Sequence, residues 1–210
     1  IKRDKIPVTS VDYSYMPRPK VGYIKVARFA QKTYEEFREH LARLQAQGMQ
    51  SLILDLRNNP GGYMHIAQLM ADDFLASGKL VVYTEGRIAQ SRDRYISTSG
   101  YDAFERGALI VMVNDGSASA SEIVAGAVQD HDRGLVIGTR SFGKGLVQHQ
   151  RELPDGSAVR VVIARYFTPS GRCSQKPFEG EEGDKDDAEI AERFKSGEAS
   201  DPAKIRSPAS

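Results

Sequence analysis

Cysteine is almost missing from this chain. Cys173 is the one cysteine in 210 residues, so no internal disulfide can staple the fold. That fits a reducing compartment, and equally an exported protein that avoids cysteine. The four histidines are scattered, with no His-Glu-x-x-His pattern and no Cys/His ligand spacing, which argues against a structural metal. No window approaches the roughly 20 apolar residues of a membrane span. Charge of one sign is not in excess either. The formal net charge is +1, so no strong field draws in nucleic acid or an anionic membrane. The chain begins at Ile1 rather than Met, with no signal peptide in view, and reads as a processed product or an excised fragment.

What is present suits a soluble globular protein. Hydrophobic residues make up 40% and charged residues 27%, enough for one domain with a real core and small appendages. Val21 to Phe29 alternates as a strand, and Thr33-Tyr-Glu-Glu36 opens a helix with a capping-box pattern. Tyr34, Phe37, Leu41 and Leu44 follow at helical spacing, and Gly48 is a natural stop. Ser51 to Leu56 is a short apolar strand, and Tyr63 to Leu75 a helix with Ile66, Leu69, Met70 and Phe74 on one side. Leu80 to Tyr83, Ala108 to Val113 and Leu135 to Ile137 are further strands. Gly86 to Ser99 is polar and reads as a hairpin or an excursion. A helix is expected from Ser119 to about Gln129. Leu146 to Leu153 and Ala158 to Tyr166 flank Pro154-Asp-Gly-Ser157, a hairpin turn by composition.

Strands alternating with helices predict an α/β fold with a largely parallel sheet flanked by helices, plus the β-hairpin region. Residues 1–20 are expected to be a linker or strand before the core, residues 21–178 the core, and residues 179–210 a tail. From Glu179 to Ser210 the chain is rich in Glu, Asp, Lys, Ser and Gly. Such a stretch buries too little apolar surface to offset its ordering entropy, so disorder or a polar cover is expected, with a short surface helix at Ala188 to Lys195.

Three turns after strands combine glycine with small or polar residues: Asn59-Pro-Gly-Gly62, Asp115-Gly-Ser-Ala-Ser119 and Ser141-Phe-Gly-Lys-Gly145. In open α/β sheets, sites form outside the carboxyl ends of strands. Helix N-termini after the first two turns would aim free N–H groups at that space, the raw material of an oxyanion hole. A serine becomes a nucleophile when a base takes its proton, and a desolvated lysine is such a base. Ser119 and Lys144 are the candidate pair. Each part also has a plainer reading. Gly-rich turns are ordinary structure, and Ser117 or Ser121 alone is most simply a cap or a packing residue. Glu122 is equally a helix N-terminal acid, and Lys144 alone a solvated loop lysine. His131 lies near the far end of the same helix, about 15 Å along for ten residues, and cannot reach Ser119 within it. His65 is a better-placed rival base.

The ordered motifs resemble the C-terminal processing peptidases, or tail-specific proteases, of serine-peptidase family S41. The resemblance runs from about Gly22 to Arg172. It is carried by Leu54-Asp-Leu-Arg-Asn-Asn-Pro-Gly-Gly62, Gly116-Ser-Ala-Ser-Ala-Ser-Glu-Ile123, Phe142-Gly-Lys-Gly145 with Gln148, Leu153-Pro-Asp-Gly-Ser157 and Tyr166-Phe-Thr-Pro-Ser-Gly-Arg172. Ser141 stands where threonine is more familiar.

The resemblance implies a crotonase/Clp-like core and an endopeptidase with a Ser/Lys dyad. By that likeness Ser119 is the nucleophile, Lys144 the base 25 residues on, and Gln148 the group that holds the lysine amine. The oxyanion donors fall on the backbone N–H of Ala120 and of Gly61 or Gly62. A lysine at its ordinary value of about 10.4 is roughly three units too protonated for a base at neutral pH, so burial must neutralise it. No cofactor and no metal is implied. The implied partners are polypeptide substrates, especially their C-terminal segments, with no nucleic acid, no membrane span and a possible homo-oligomer. The implied location is the periplasm or cell envelope. Such peptidases usually carry a PDZ module that captures the substrate carboxylate. None is seen here, and Ile1 to Pro7 resembles the last strand of such a module. Two readings from other classes stand beside this one. One is a catalytically inert binding module on the same fold, like retinoid-binding relatives. The other is a crotonase-like acyl-CoA enzyme.

Overall fold

The computed structural model describes residues 9–100 and 103–176. The readings of Ile1 to Pro7, and of the tail from residue 179 on, lie outside the described residues.

The main sheet has five strands in the order β1-β2-β3-β6-β7. They are β1 (Val11–Arg18), β2 (Val21–Val26), β3 (Ser51–Asp55), β6 (Ala108–Val113) and β7 (Leu135–Gly138). β2, β3, β6 and β7 run parallel, and β1 pairs antiparallel with β2 at the edge. Helices α1 (Thr33–Ala46), α2 (Met64–Asp72) and α3 (Ala120–Asp130) connect and cover the sheet. The fold is the mixed α/β core expected from the alternation of strand and helix patterns.

Side-chain periodicity explains the packing. Alternate residues of the parallel strands, Ile24, Val26, Leu52, Leu54, Leu109, Val111 and Val113, are buried. They meet Phe37, Leu41 and Leu44 of α1, Ile66 and Met70 of α2, and Ile123, Val124 and Ala127 of α3 in one core. Phe37 and Phe74 stand edge to face with ring centroids 5.9 Å apart. Such a pair contributes about 0.5–1.5 kcal/mol beyond its buried area.

The capping box expected at Thr33 does not form. Thr33 Oγ1 accepts the N–H of Ala30 at 2.8 Å, and the Glu36 carboxylate accepts the N–H groups of Ser10 and Val11. That carboxylate ties the edge strand to α1, and a long-range pair of donors has displaced the local one.

A second sheet is wholly antiparallel, in the order β5-β4-β9-β8. β4 (Leu80–Glu85) is flanked by β5 (Asp93–Ile96), drawn from the polar Gly86 to Ser99 stretch after a 3₁₀ turn at Ala89–Ser91. On its other side β4 pairs with β9 (Ala158–Phe167), which forms the expected hairpin with β8 (Leu146–Glu152). The hairpin is thus one half of a sheet rather than an appendage.

β3, β6 and β7 are adjacent and parallel, so their carboxyl ends lie side by side. The three glycine-bearing turns leave from those ends.

Candidate functional site

The first turn is built on Asp55, the last residue of β3. Its carboxylate accepts the Arg57 backbone N–H at 2.8 Å, the Arg57 guanidinium at 2.7 Å and the Tyr23 hydroxyl at 2.6 Å, with Lys25 Nζ at 3.3 Å. Burial alone would raise this carboxyl. The hydrogen bonds from Arg57 and Tyr23 and the charge of Lys25 outweigh it and hold Asp55 at about 2. Asn59 follows, fully buried. Its side-chain amide donates to Val26 O at 3.0 Å and its side-chain oxygen accepts the Gly61 N–H at 2.9 Å. Its backbone oxygen accepts the Ala118 N–H and the Ser121 hydroxyl, both at 3.0 Å. One asparagine therefore fastens the Pro60-Gly61-Gly62 turn to the second turn.

The second turn carries three serines with different surroundings. Ser117 is fully buried, and its hydroxyl donates to Leu56 O at 2.8 Å and accepts the Asn114 N–H. Ser121 is fully buried on Asn59. These two are the packing residues of the plainer reading. Ser119 is half-buried, and its hydroxyl donates to no backbone carbonyl among the described residues. It is the N-cap of α3, with φ 56° and ψ −113°. A non-glycine residue in that region stores strain of about 1–3 kcal/mol and persists only where its surroundings over-determine it. The surroundings are visible. A Cβ placed on Gly61 would stand 2.7 Å from Ser119 Cβ and 2.9 Å from the Ala120 nitrogen, so the first turn presses directly on the serine.

The expected oxyanion donors separate in this geometry. Gly61 N–H is bonded to Asn59 Oδ1. Gly62 is held in place by its neighbours, because Phe29 donates to Gly61 O and Tyr63 donates to Phe29 O. The N–H groups of Gly62 and Ala120 have no acceptor among the described residues.

The third turn is tied to the second by Glu122. This carboxylate, 6% exposed, accepts the Ser119 N–H at 2.8 Å, the Ser141 hydroxyl at 2.7 Å, the Gly143 N–H at 2.8 Å and the Lys144 N–H at 3.0 Å. Phe142 N–H adds a bond to Ser117 O at 2.9 Å. A carboxylate with four donors is worth far more than the helix-dipole acid expected at that position. The spacing Ser119-x-x-Glu122 is a capping-box signal that the reading of Glu122 as a helix-dipole acid left unused.

Lys144 thus has its backbone fixed beside the Ser119 backbone. Its side chain is half-buried and makes no hydrogen bond among the described residues, so Nζ is not engaged with Ser119 Oγ. Gln148 lies on β8 opposite Val162, exposed, beside an irregularity in the pairing, and does not bond Lys144. His131 caps α3 and its Nε2 lies 2.6 Å from Leu80 O. His65 is exposed against the Tyr63 ring. Neither histidine hydrogen-bonds Ser119. A pocket of ≈ 240 Å³ opens beyond Glu122, bordered by Ser141, Gly143 and three cations, Arg140, Arg172 and Lys176.

Tyr166, 2% exposed, was quoted in the sequence only as part of a motif. Its hydroxyl donates to Lys144 O, and its N–H to Gly145 O at 2.9 Å. Burial first, and then the nearby Glu122 charge, hold this phenol far above the ordinary tyrosine range.

The family model described as Peptidase family S41 matches residues 20–186. A probable CtpA-like serine protease of Staphylococcus aureus strain N315 is 37% identical over 174 residues, which cover 81% of this chain and 34% of that protein. A carboxy-terminal-processing protease of Bartonella bacilliformis is 40% identical over 179 residues, 83% of this chain and 40% of that protein. The chain therefore spans well under half the length of these curated relatives. Among solved structures, the photosystem II D1 C-terminal processing protease superposes with a TM-score of 0.68 at 34% identity, covering 82% of this chain and 47% of that one. A putative S41 protease from Bacteroides fragilis NCTC 9343, at 18% identity and a TM-score of 0.67, shares the fold.

Proposed function

The chain belongs to peptidase family S41, and from that premise we propose that it is the catalytic core of a serine endopeptidase working through Ser119 and Lys144. The observation that carries this reading is the difference among the three serines of one short run. Ser117 and Ser121 are buried and bonded to backbone oxygens. Ser119 alone is half-open, strained and set at the start of a helix.

In this reading Ser119 Oγ attacks the scissile carbonyl carbon and Lys144 Nζ takes its proton. The oxygen of the tetrahedral intermediate becomes an oxyanion that accepts from Ala120 N–H and Gly62 N–H, the two donors that have no other acceptor. The C–N bond then breaks, and Lys144 returns the proton to the leaving amine. Water, deprotonated by the same amine, attacks the acyl-enzyme and restores Ser119. Because the Lys144 backbone is fixed by Glu122, the approach of Nζ to Ser119 is a side-chain movement. Gln148 accepts from the amine once the site closes on a substrate. An amide can do this without adding a negative charge that would favour the ammonium form.

The substrate class is polypeptide, unfolded or tagged, and the cut lies near its C-terminus, as the names of two relatives have it for C-terminal processing in those proteins. Export to the cell envelope belongs to the same reading. No helix among the described residues is long and apolar enough to cross a membrane.

The test is a fluorophosphonate probe with peptide mapping, alongside degradation of an unstructured protein with an apolar C-terminus. Label on Ser119, and cleavage lost in both Ser119→Ala and Lys144→Ala, supports the dyad. A Lys144→Ala protein that cleaves like the parent overturns it. A chain that binds such a peptide but is never labelled is the inert module on the same fold.

A further inference from the structure

The motif Tyr166-Phe-Thr-Pro-Ser-Gly-Arg172 has no role in the mechanism above, yet it is anchored on the helix that begins at Ser119. Asp130, the last residue of α3, accepts the Ser170 N–H at 2.9 Å and pairs with the Arg172 guanidinium. Thr168 N–H donates to Arg172 O at 3.0 Å and closes the turn. Gly126 of α3 lies under Thr168. A Cβ there would be 2.7 Å from Thr168 Cγ2, so only a bare backbone lets the turn sit this close. The end of β9 is thereby nailed to α3, and Tyr166 is carried with it.

We propose that Tyr166 is a positioning residue for the Ser/Lys pair. It sets the distance between the nucleophile's helix and the turn that carries the base. Its hydroxyl donates to the carbonyl of Lys144, and its N–H donates to the carbonyl of Gly145. Glu122 already holds the Lys144 N–H. The N–H and the C=O of Lys144 are therefore each held by a side chain, and one of these, Glu122, also holds the Ser119 N–H. One anchor on each of the two peptide units that flank the Lys144 Cα fixes its backbone, and the lysine side chain swings from a fixed pivot. The phenol stays protonated, because burial and the adjacent carboxylate both disfavour its ionised form, so the donor is constant over working pH.

This inference rests on the Ser/Lys reading and is tested beside it. The chain and its Tyr166→Phe variant are compared with a fluorogenic peptide and the fluorophosphonate probe, each assayed well below its own melting temperature. The expected result is a roughly 10- to 100-fold fall in kcat, the scale of a small misplacement of a reacting group. KM is expected to stay within about twofold, because ground-state binding is untouched. Labelling of Ser119 should slow in parallel. A kcat equal to that of the parent, with the parent labelled and active, overturns the positioning role and leaves the Ser/Lys reading standing. A parent that is neither labelled nor active removes that reading and this inference with it. If Tyr166→Phe does not fold, a chain carrying 4-fluorophenylalanine at position 166 decides. The fluorine fills the place of the hydroxyl but cannot donate, so the same fall in kcat is expected from a folded protein. A kcat equal to that of the parent overturns the role.

Discussion

The backbone N–H groups of Ser119 and Lys144 donate to the same atom, Oε2 of Glu122, at 2.8 and 3.0 Å. The other oxygen, Oε1, takes the Ser141 hydroxyl at 2.7 Å and the Gly143 N–H at 2.8 Å. The two residues of the proposed pair therefore share an acceptor, although 25 residues separate them in the chain.

Replacing that acceptor tests how much the site depends on it. In Glu122→Gln the amide turns its NH₂ toward Ser141, whose hydroxyl can accept, and the Gly143 N–H is then left facing a donor. Leaving buried donors unsatisfied costs about 1–3 kcal/mol. The expected outcome is an unfolding free energy in urea lowered by that amount and much slower fluorophosphonate labelling of Ser119. Unchanged labelling would show that the carboxylate is not what fixes the two residues.

Ser119 sits at φ 56°, where glycine carries little strain and serine does. Ser119→Gly should remove the proposed nucleophile and raise stability by about 1 kcal/mol, because strain of about 1–3 kcal/mol is partly offset by the freer unfolded chain. Ser119→Ala should remove the nucleophile without the gain, since its Cβ keeps the strain. Thermal melts of the three proteins check this. Equal stability of the Gly and Ala variants would mean that the backbone there is not held against its preference.

The apolar elements were legible because their burial is one-dimensional. Ala108–Val113 and Ser51–Asp55 are continuous apolar runs, and the β8–β9 hairpin announces its turn with Pro154-Asp-Gly-Ser157. β1 was harder, because pairing irregularities on either side of Tyr13 to Tyr15 and Pro17 near its end break the alternation. β5 has mostly exposed residues and exists through its pairing with β4, so its own composition says little. At the site, Ser119 is a candidate from its turn and from the need for a base, and the resemblance points to the same serine. Nothing in the local run distinguishes it from Ser117 and Ser121, and only burial and backbone conformation do. Glu122 and Tyr166 were legible as a helix acid and a motif letter, because their roles depend on donors and acceptors brought in from other turns.

Gly61 tests the contact between the first and second turns. It has φ +93°, and an added Cβ would stand 2.6 Å from Ala118 O and 2.7 Å from Ser119 Cβ. Backbone strain and overpacking each cost about 1–3 kcal/mol, so Gly61→Ala should lose roughly 3 kcal/mol. Part of the strain should be released by pushing Ser119 away from Gly62 N–H, so peptide cleavage should fall more than substrate affinity does. A variant with normal turnover would show that the turn can retreat without moving the serine, against the close packing described above.

Two buried aspartates predict opposite pH limbs. Asp55 is held at about 2, below its ordinary value, because its bonds from Arg57 and Tyr23 outweigh burial. A depressed carboxyl stabilises the fold above the unfolded value near 4, and that contribution is lost as pH falls toward 2, roughly 2 kcal/mol in all. Asp73 is fully buried and is pushed up to about 6, because burial outweighs the paired Arg38. A raised carboxyl has the reverse sign. Its contribution is greatest below about 4 and falls as pH rises through about 6, by roughly 3 kcal/mol. Urea midpoints of the chain, Asp55→Asn and Asp73→Asn, taken from pH 3 to 8, separate the two. The difference between the chain and Asp73→Asn should shrink from pH 4 to 6 and then hold level. The difference between the chain and Asp55→Asn should be level above pH 5 and shrink toward pH 3. A flat Asp73 difference across pH 4 to 6 would mean that Arg38 compensates the buried charge in full.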